Sequence, residues 1–256
     1  MNTGSRERMF NIYIDNVNMS EAIEKIDELA SNKEDYSYVV TPNVDHIVKV
    51  QTDYEFHRIY EDADLILADG VPVIWASKFL KKTLKEKVSG SDLFPLLCEH
   101  ASKKGYKVFF LGGLEGVAEK AKEELQRKYI NLNVVGTYCP PFGFEKNEEE
   151  NNKIIKILND VKPDILFVGV GAPKQEKWIY NNRDQYKVPV SLGIGASFDF
   201  IAKTTKRAPV WMQKVGLEWF YRFLQEPKRM FKRYFIDDSK FIILLIKEMR
   251  KIKYEI

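Results

Sequence analysis

The feature that most constrains this chain is an alternation. Short apolar runs, several of them ending in glycine, are separated by stretches whose apolar residues recur at helical spacing. The runs are FNIYIDNV (10–17), YSYVVTPN (36–43), LILADG (65–70), YKVFFLGG (106–113), NLNVVGTY (131–138), DILFVGVG (164–171) and VPVSLGIG (188–195). Strands that are apolar on both faces must be covered on both faces, which a parallel sheet between helical layers achieves. The alternation therefore predicts an α/β fold: a Rossmann-like, mostly parallel sheet with helices on both faces, through about residue 202. Between the runs, Ser20 reads as the cap of a helix through EAIEKIDELA, and VDHIVKVQTDYEFHRIYED as one helix. Ser91 or Asp92 reads as the cap of DLFPLLCEHASKKG.

Sheets of this kind bind ligands beyond the carboxyl ends of their strands. TPN, ADG, LGG, GVGAPKQ and GIGAS should therefore converge on one cleft, and all but the first carry glycine, which lets backbone approach a ligand closely. Gly112, Gly113, Gly169, Gly171 and Gly195 are the candidates for that approach. The segment DILFVGVGAPKQEKW joins a strand to a helix opened by Pro173, a junction that often holds phosphate. Its spacing fits neither a Walker loop nor a dinucleotide fingerprint, and LGGLEGVAE matches the fingerprint only loosely. Lys174 and Gln175 could anchor a phosphate or sugar, and Glu176 could be a first-turn partner of the helix dipole.

Asp69 closes the run LILAD and could act as a general base in the cleft; position alone slightly favours a cap for the helix after Gly70. Thr41 and Asn43 offer hydrogen bonds to a polyhydroxy ligand, or cap the next helix. His46, His57 and His100 are scattered without ligand spacing, so no metal site is expected. Asp62-Ala63-Asp64 spells a DxD, but at the entrance of its strand, and reads as solvated charge. No Gly-x-Ser-x-Gly elbow is present, and neither Cys98 nor Cys139 neighbours a histidine. Both cysteines read as reduced residues of a cytosolic protein. No organic cofactor is expected.

Charge divides the chain. Residues 203–256 hold 14 basic and 6 acidic residues, a balance of +8, while the preceding residues hold 26 basic against 31 acidic, −5. Aromatic residues interleave with Arg222, Lys228, Arg229, Lys232 and Arg233 in this segment, which reads as two or three amphipathic helices broken near Gly216 and Pro227. Partner contact through that end is expected. The N-terminus lacks a long apolar stretch, so no secretory signal is expected. The longest late apolar run, FIILLI (241–246), falls far short of the roughly 20 residues that span a bilayer.

Taken together, TPNVDH (41–46), LILADG (65–70), EKVSGSDL (86–93), FFLGG (109–113), VGVGAPKQEKW (168–178), GIGASFDFIA (193–202), KRAPVWMQKVGLEW (206–219) and RFLQEPKRMFKRY (222–234) resemble the WecG/TagA/CpsF family of bacterial glycosyltransferases, in the family's order. The resemblance implies an inverting, metal-independent transferase with a UDP-linked N-acetylmannosamine donor. The implied acceptor is N-acetylglucosamine on undecaprenyl diphosphate, and the product a linkage unit for wall teichoic acid or a related surface polymer. Related members differ in donor, so N-acetylmannosaminuronic acid or a hexose stays open. Carried onto this chain, the resemblance makes Asp69 the catalytic base, places Thr41 and Asn43 beside it, and makes Gln175 the polar residue of the APKQE loop. Lys87 stands where the family commonly has arginine; it keeps the charge and loses the bidentate fork. Arg222, Arg229 and Arg233 would neutralise the leaving diphosphate.

On this reading residues 1–202 form the catalytic domain, and residues 203–256 a basic aromatic appendage that completes the site and meets the inner face of the cytoplasmic membrane as a peripheral contact. A homo-oligomer is expected in water. The rival of another class is a non-catalytic nucleic-acid binder using the basic tail. The acidic body and the five converging strand ends argue against it, and no nucleic-acid partner is expected.

Overall fold

The computed structural model describes residues 5–254; the side chains of Arg229, Arg233 and residues 252–254 lie outside the described set. The strands are β1 (Arg6–Met9), β2 (Ile12–Asp15), β3 (Ser37–Val40), β4 (Leu65–Ile66), β5 (Lys107–Gly112), β6 (Asn133–Tyr138), β7 (Ile165–Gly169) and β8 (Val190–Gly193). The helices over the first part of the chain are α1 (Met19–Ser31), α2 (Val44–Val50), α3 (Tyr54–Glu61), α4 (Val71–Phe79), α5 (Gly90–Lys104), α6 (Val117–Lys128), α7 (Glu148–Val161), α8 (Lys174–Tyr186) and α9 (Ser197–Ile201). The last part contributes α10 (Val210–Lys214), α11 (Glu218–Gln225), α12 (Pro227–Phe231), a π-helical turn (Lys232–Asp237) and α13 (Lys240–Tyr254).

Strands β3 to β8 form one parallel sheet of six in the order β4-β3-β8-β7-β5-β6. The expected α/β architecture is present, with every pairing in this sheet parallel. Alternate residues of each strand feed two separate cores, as the period of two requires. Val108, Phe110, Ile165, Phe167, Val190 and Leu192 face one core, and Phe109, Leu111, Leu166 and Val168 face the other. In the first, Phe94, Phe110, Phe167 and Phe198 pack with ring centroids 4.8–5.8 Å apart, largely edge to face, the arrangement aromatic quadrupoles favour.

The first apolar run departs from expectation. β2 does not join the parallel sheet; it pairs with β1 as an antiparallel hairpin. The hairpin meets the edge strand through a side chain: the Asp15 carboxylate accepts the Ile66 N–H at 2.9 Å and is held by Arg6 Nε at 3.1 Å. A charged, inward-pointing residue thus blunts the sheet edge where a further ladder would otherwise form.

Helix starts also differ from expectation. Asn18, not Ser20, caps α1, in a reciprocal capping box with Glu21. Ser89, not Ser91 or Asp92, caps α5, and α2 and α3 are two helices because Asp53 caps the second. FIILLI is helical within α13, and its Phe241 enters the core 5.1 Å from the Phe10 ring. Between residues 210 and 254 the chain is helical, interrupted at 215–217 around Gly216, at Glu226 ahead of Pro227, and at 238–239 before α13.

Candidate functional site

The carboxyl ends of the parallel strands and the last helices enclose a cleft of about 1340 Å³. Thr41, Asn43, Asp69, Lys87, Gly113, Gly169, Gly171, Lys174, Gln175, Gly195 and Arg222 all line it. Gly112 does not. Its φ of +111° and the close approach of Gly169, whose carbonyl oxygen would lie 2.6 Å from an added Cβ, make it a packing residue between β5 and β7. Arg229 and Arg233 fall among the side chains outside the described set.

Asp69 leaves β4 with its N–H donated to the Pro42 carbonyl at 2.9 Å, which ties the ADG turn to the TPN turn. It does not cap α4: the N-cap is Gly70, at φ +99° and with no side-chain cap bond. Asn43 does cap, its Oδ1 accepting the His46 N–H at 3.2 Å, and lines the cleft as well. Burial pushes the Asp69 carboxyl up to about 7, with Glu218 and Asp92 adding to the rise and Lys87 and Arg207 opposing it. A carboxyl group with that acidity can exchange a proton near neutral pH.

The opposing cations belong to one network. Asp92, in the first turn of α5, accepts Lys87 Nζ at 2.7 Å, Arg207 Nη1 at 2.7 Å and Ser89 Oγ at 2.6 Å. Burial alone would raise its carboxyl, but the bonds from Arg207, Lys87 and Ser89 outweigh that and hold it well below the usual range. Arg207 Nε also reaches Glu218 at 3.2 Å in α11, while its Nη2 is buried with no hydrogen-bond partner among the described residues. Sequence reasoning placed Arg207 only inside a motif; its basic character gave no sign that it bridges body and tail.

Across the cleft, the Gln175 side chain is enclosed. Its Oε1 accepts N–H groups from Gly171 at 3.2 Å and Gly195 at 3.1 Å, and its Nε2 donates to Glu176 Oε1 at 2.7 Å. Lys174 Nζ stands 3.3 Å from Glu145, in a short 3-10 helix (Phe144–Lys146), and 4.1 Å over the ring of Phe142, in the loop (139–143) before it, a stretch that sequence reasoning passed over. Cys139 in that loop donates Sγ–H to the Gly113 carbonyl at 3.2 Å, and Cys98 is buried in the core.

From the tail, Gly216, Glu218, Trp219, Arg222, Tyr234 and Phe235 line the cleft, and the Arg222 guanidinium lies 6.0 Å over the Phe200 ring. His46 is buried, with Nδ1 2.7 Å from the Tyr60 hydroxyl. Asp64 accepts the Tyr38 N–H at 2.9 Å and Asp62 the Tyr180 hydroxyl at 2.6 Å, so the DxD braces the strand entrance. Among the described residues no group of three or more His, Cys, Asp or Glu is placed to hold a metal ion.

Comparison with known proteins places this arrangement in context. The model of the Glycosyl transferase WecG/TagA/CpsF family matches residues 7–255. The N-acetylglucosaminyldiphosphoundecaprenol N-acetyl-beta-D-mannosaminyltransferase of Staphylococcus aureus strain MW2 is 32% identical over 240 residues, 93% of this chain and 91% of the relative. Proteins of the same description from strains NCTC 8325 / PS 47 and COL show the same identity and coverage.

Proposed function

The chain belongs to the WecG/TagA/CpsF family of glycosyltransferases, and from that premise we propose that it transfers N-acetylmannosamine from UDP-N-acetylmannosamine to N-acetylglucosamine carried on undecaprenyl diphosphate. The transfer inverts the anomeric centre, uses no metal, and builds the linkage unit of wall teichoic acid. The observation that carries the reading is the place of Asp69. Its half-buried carboxyl, pushed up to about 7 by burial, faces a cleft that also holds Thr41, Asn43 and the glycine loops.

Asp69 takes the proton of the acceptor hydroxyl as that oxygen attacks the anomeric carbon opposite UDP. Thr41 and Asn43 orient the acceptor beside it. Negative charge then develops on the departing diphosphate, and fixed cations stabilise it without reorganisation. Lys87, Lys174 and Arg222 line the cleft to serve this purpose. The N-terminus of α8, opened after Pro173, adds partial positive charge beside Lys174.

Residues 1–202 act as the catalytic domain and residues 203–256 as an appendage that closes the cleft and meets the inner face of the membrane. Trp211, Leu224, Phe231, Ile242 and Ile243 in the tail, with Trp75 and Phe79 on α4, expose large apolar side chains. Among the described residues no helix is long and apolar enough to cross a membrane. A peripheral contact that combines these side chains with the basic residues of the tail suits an anionic leaflet.

The test is product analysis with a panel of UDP-sugars and a short-chain lipid-diphosphate N-acetylglucosamine. A β-linked disaccharide from UDP-N-acetylmannosamine, with release of UDP, is expected. Product from UDP-N-acetylmannosaminuronic acid or a UDP-hexose alone would replace the donor. Absence of transfer from every sugar would overturn the reading.

A further inference from the structure

Glu176 follows the cleft residue Gln175 yet is almost wholly buried, at 1% exposure. Its Oε1 receives the Gln175 amide at 2.7 Å, and its Oε2 is buried with no hydrogen-bond partner among the described residues. A buried carboxylate with an unpaired oxygen is costly, so a residue of this type is a poor choice as mere filling. The cost is visible in its acidity: burial pushes the carboxyl up to about 7.

The arrangement around Gln175 shows what is gained. A glutamine amide can turn over, exchanging its oxygen for its nitrogen. In the observed orientation the oxygen faces two main-chain N–H groups, those of Gly171 after β7 and Gly195 after β8. The reverse orientation would point N–H at N–H on both sides. Glu176 Oε1 adds to that bias, since it stays an acceptor whether the carboxyl is ionised or carries its proton on the unpartnered Oε2. Space for the amide is made at Gly193, where an added Cβ would lie 2.6 Å from Gln175 Nε2.

We propose that Glu176 is a positioning residue: by fixing the Gln175 amide, it locks the Gly171 and Gly195 loops together in the register that receives the sugar nucleotide. The inference rests on the donor reading above, in that it names what holds that site in shape. Glu176 touches no substrate and acts only through Gln175. The groups facing it from neighbouring elements are Asp45 and Lys49 of α2 and Tyr60 of α3.

The test compares Glu176→Gln, which retains an acceptor oxygen, with Glu176→Leu, which removes it. Two readouts are taken: amide hydrogen exchange at Gly171 and Gly195 in the unliganded protein, and calorimetric binding of UDP. Glu176→Gln should keep slow exchange at both glycines and bind UDP within about twofold of the parent. Glu176→Leu should lose protection at both and weaken UDP at least tenfold, equivalent to about 1.4 kcal/mol. In a Gln175→Ala background, Glu176→Leu should cost nothing further, the coupling expected of residues that act in series. Unchanged exchange in Glu176→Leu, or an equal cost in the Gln175→Ala background, overturns the proposal.

Should Glu176→Leu fail to fold, the unsubstituted protein decides. There the Gln175 side-chain amide should give one slowly exchanging, downfield proton, and two rapidly exchanging protons would overturn the clamp. Slow exchange at the glycines together with no binding of UDP to the parent would count against the donor reading and leave the clamp standing.

Discussion

Arg207 holds Asp92 at 2.7 Å, joining the start of the C-terminal segment to the first turn of α5, directly behind the cleft. The same guanidinium reaches Glu218 of α11, so one side chain ties the tail to the body. Both ends of the pair are partly buried, where breaking an ion pair leaves a charge short of partners. Arg207→Ala should lower stability by about 1–3 kcal/mol, read as a drop in Tm, and reduce kcat/KM at least tenfold as the tail residues lose their place over the cleft. Arg207→Lys should recover little, because a lysine cannot bridge two carboxylates with a planar fork. Full activity in Arg207→Ala would remove this tie from the mechanism.

Asp69→Asn should cost about 10³-fold or more in kcat, a range consistent with loss of a general base. Stability should move the other way. Burial raises the Asp69 carboxyl from 3.8 to about 7, so the folded state holds its proton more tightly than the unfolded state. Its contribution favours the fold below about pH 4 and is lost as pH rises through about 7. At pH 8 the neutral amide therefore relieves a cost, and the variant should melt a few degrees above the parent, on the order of 1–2 kcal/mol after allowing for solvent in the cleft. Near pH 4 the two should melt alike. Melting curves at both pH values, with a turnover assay, check both halves.

The β-sheet was legible because its strands are buried on both faces and so read as apolar runs with little competing signal. The hairpin was not, because β1 is Arg-Glu-Arg-Met, a polar edge segment with no apolar period to announce it. Cap positions slipped by two or three residues where several capping types crowd together, as with Asn18 and Ser20 or Ser89, Ser91 and Asp92. The cleft residues were found at strand ends, since topology alone delivers those to one place. What stayed hidden was partnership at a distance. Gln175 meets Gly195, 20 residues later, only because β7 and β8 are neighbours. Arg207 meets Asp92 only because the tail folds back.

Vesicle binding tests the exposed apolar tail. Trp211 and Leu224 are each 61% exposed and lie on short helices beside basic residues. Trp211→Glu with Leu224→Glu should reduce cosedimentation with anionic vesicles about tenfold or more, through lost apolar burial and added repulsion. Turnover of a short, water-soluble acceptor should change far less. Equal sedimentation of parent and variant would remove these two side chains from any contact with a membrane.

Addition of EDTA should leave turnover unchanged. The cations that line the cleft, Lys87, Lys174 and Arg222, are side chains and stay in place when divalent ions are removed. A strict requirement for manganese or magnesium would show that the diphosphate needs charge beyond what these residues supply.

Lys87 offers the sharpest test of the electrostatics. It lines the cleft, sits 2.7 Å from Asp92, and is the largest influence that lowers the Asp69 carboxyl against burial. Removing it in Lys87→Met takes away that opposition, so the acid limb of the kcat/KM profile, expected near pH 7 in the parent, should move upward. Lys87→Arg restores the charge and should return the limb toward its parental position, and it adds a fork suited to diphosphate. A lower KM for the UDP-sugar in Lys87→Arg than in the parent would then place this position at the leaving group as well as beside the base. A profile that does not shift in Lys87→Met would mean that the acid limb belongs to a group other than Asp69, and the role of that carboxylate would have to be reassigned.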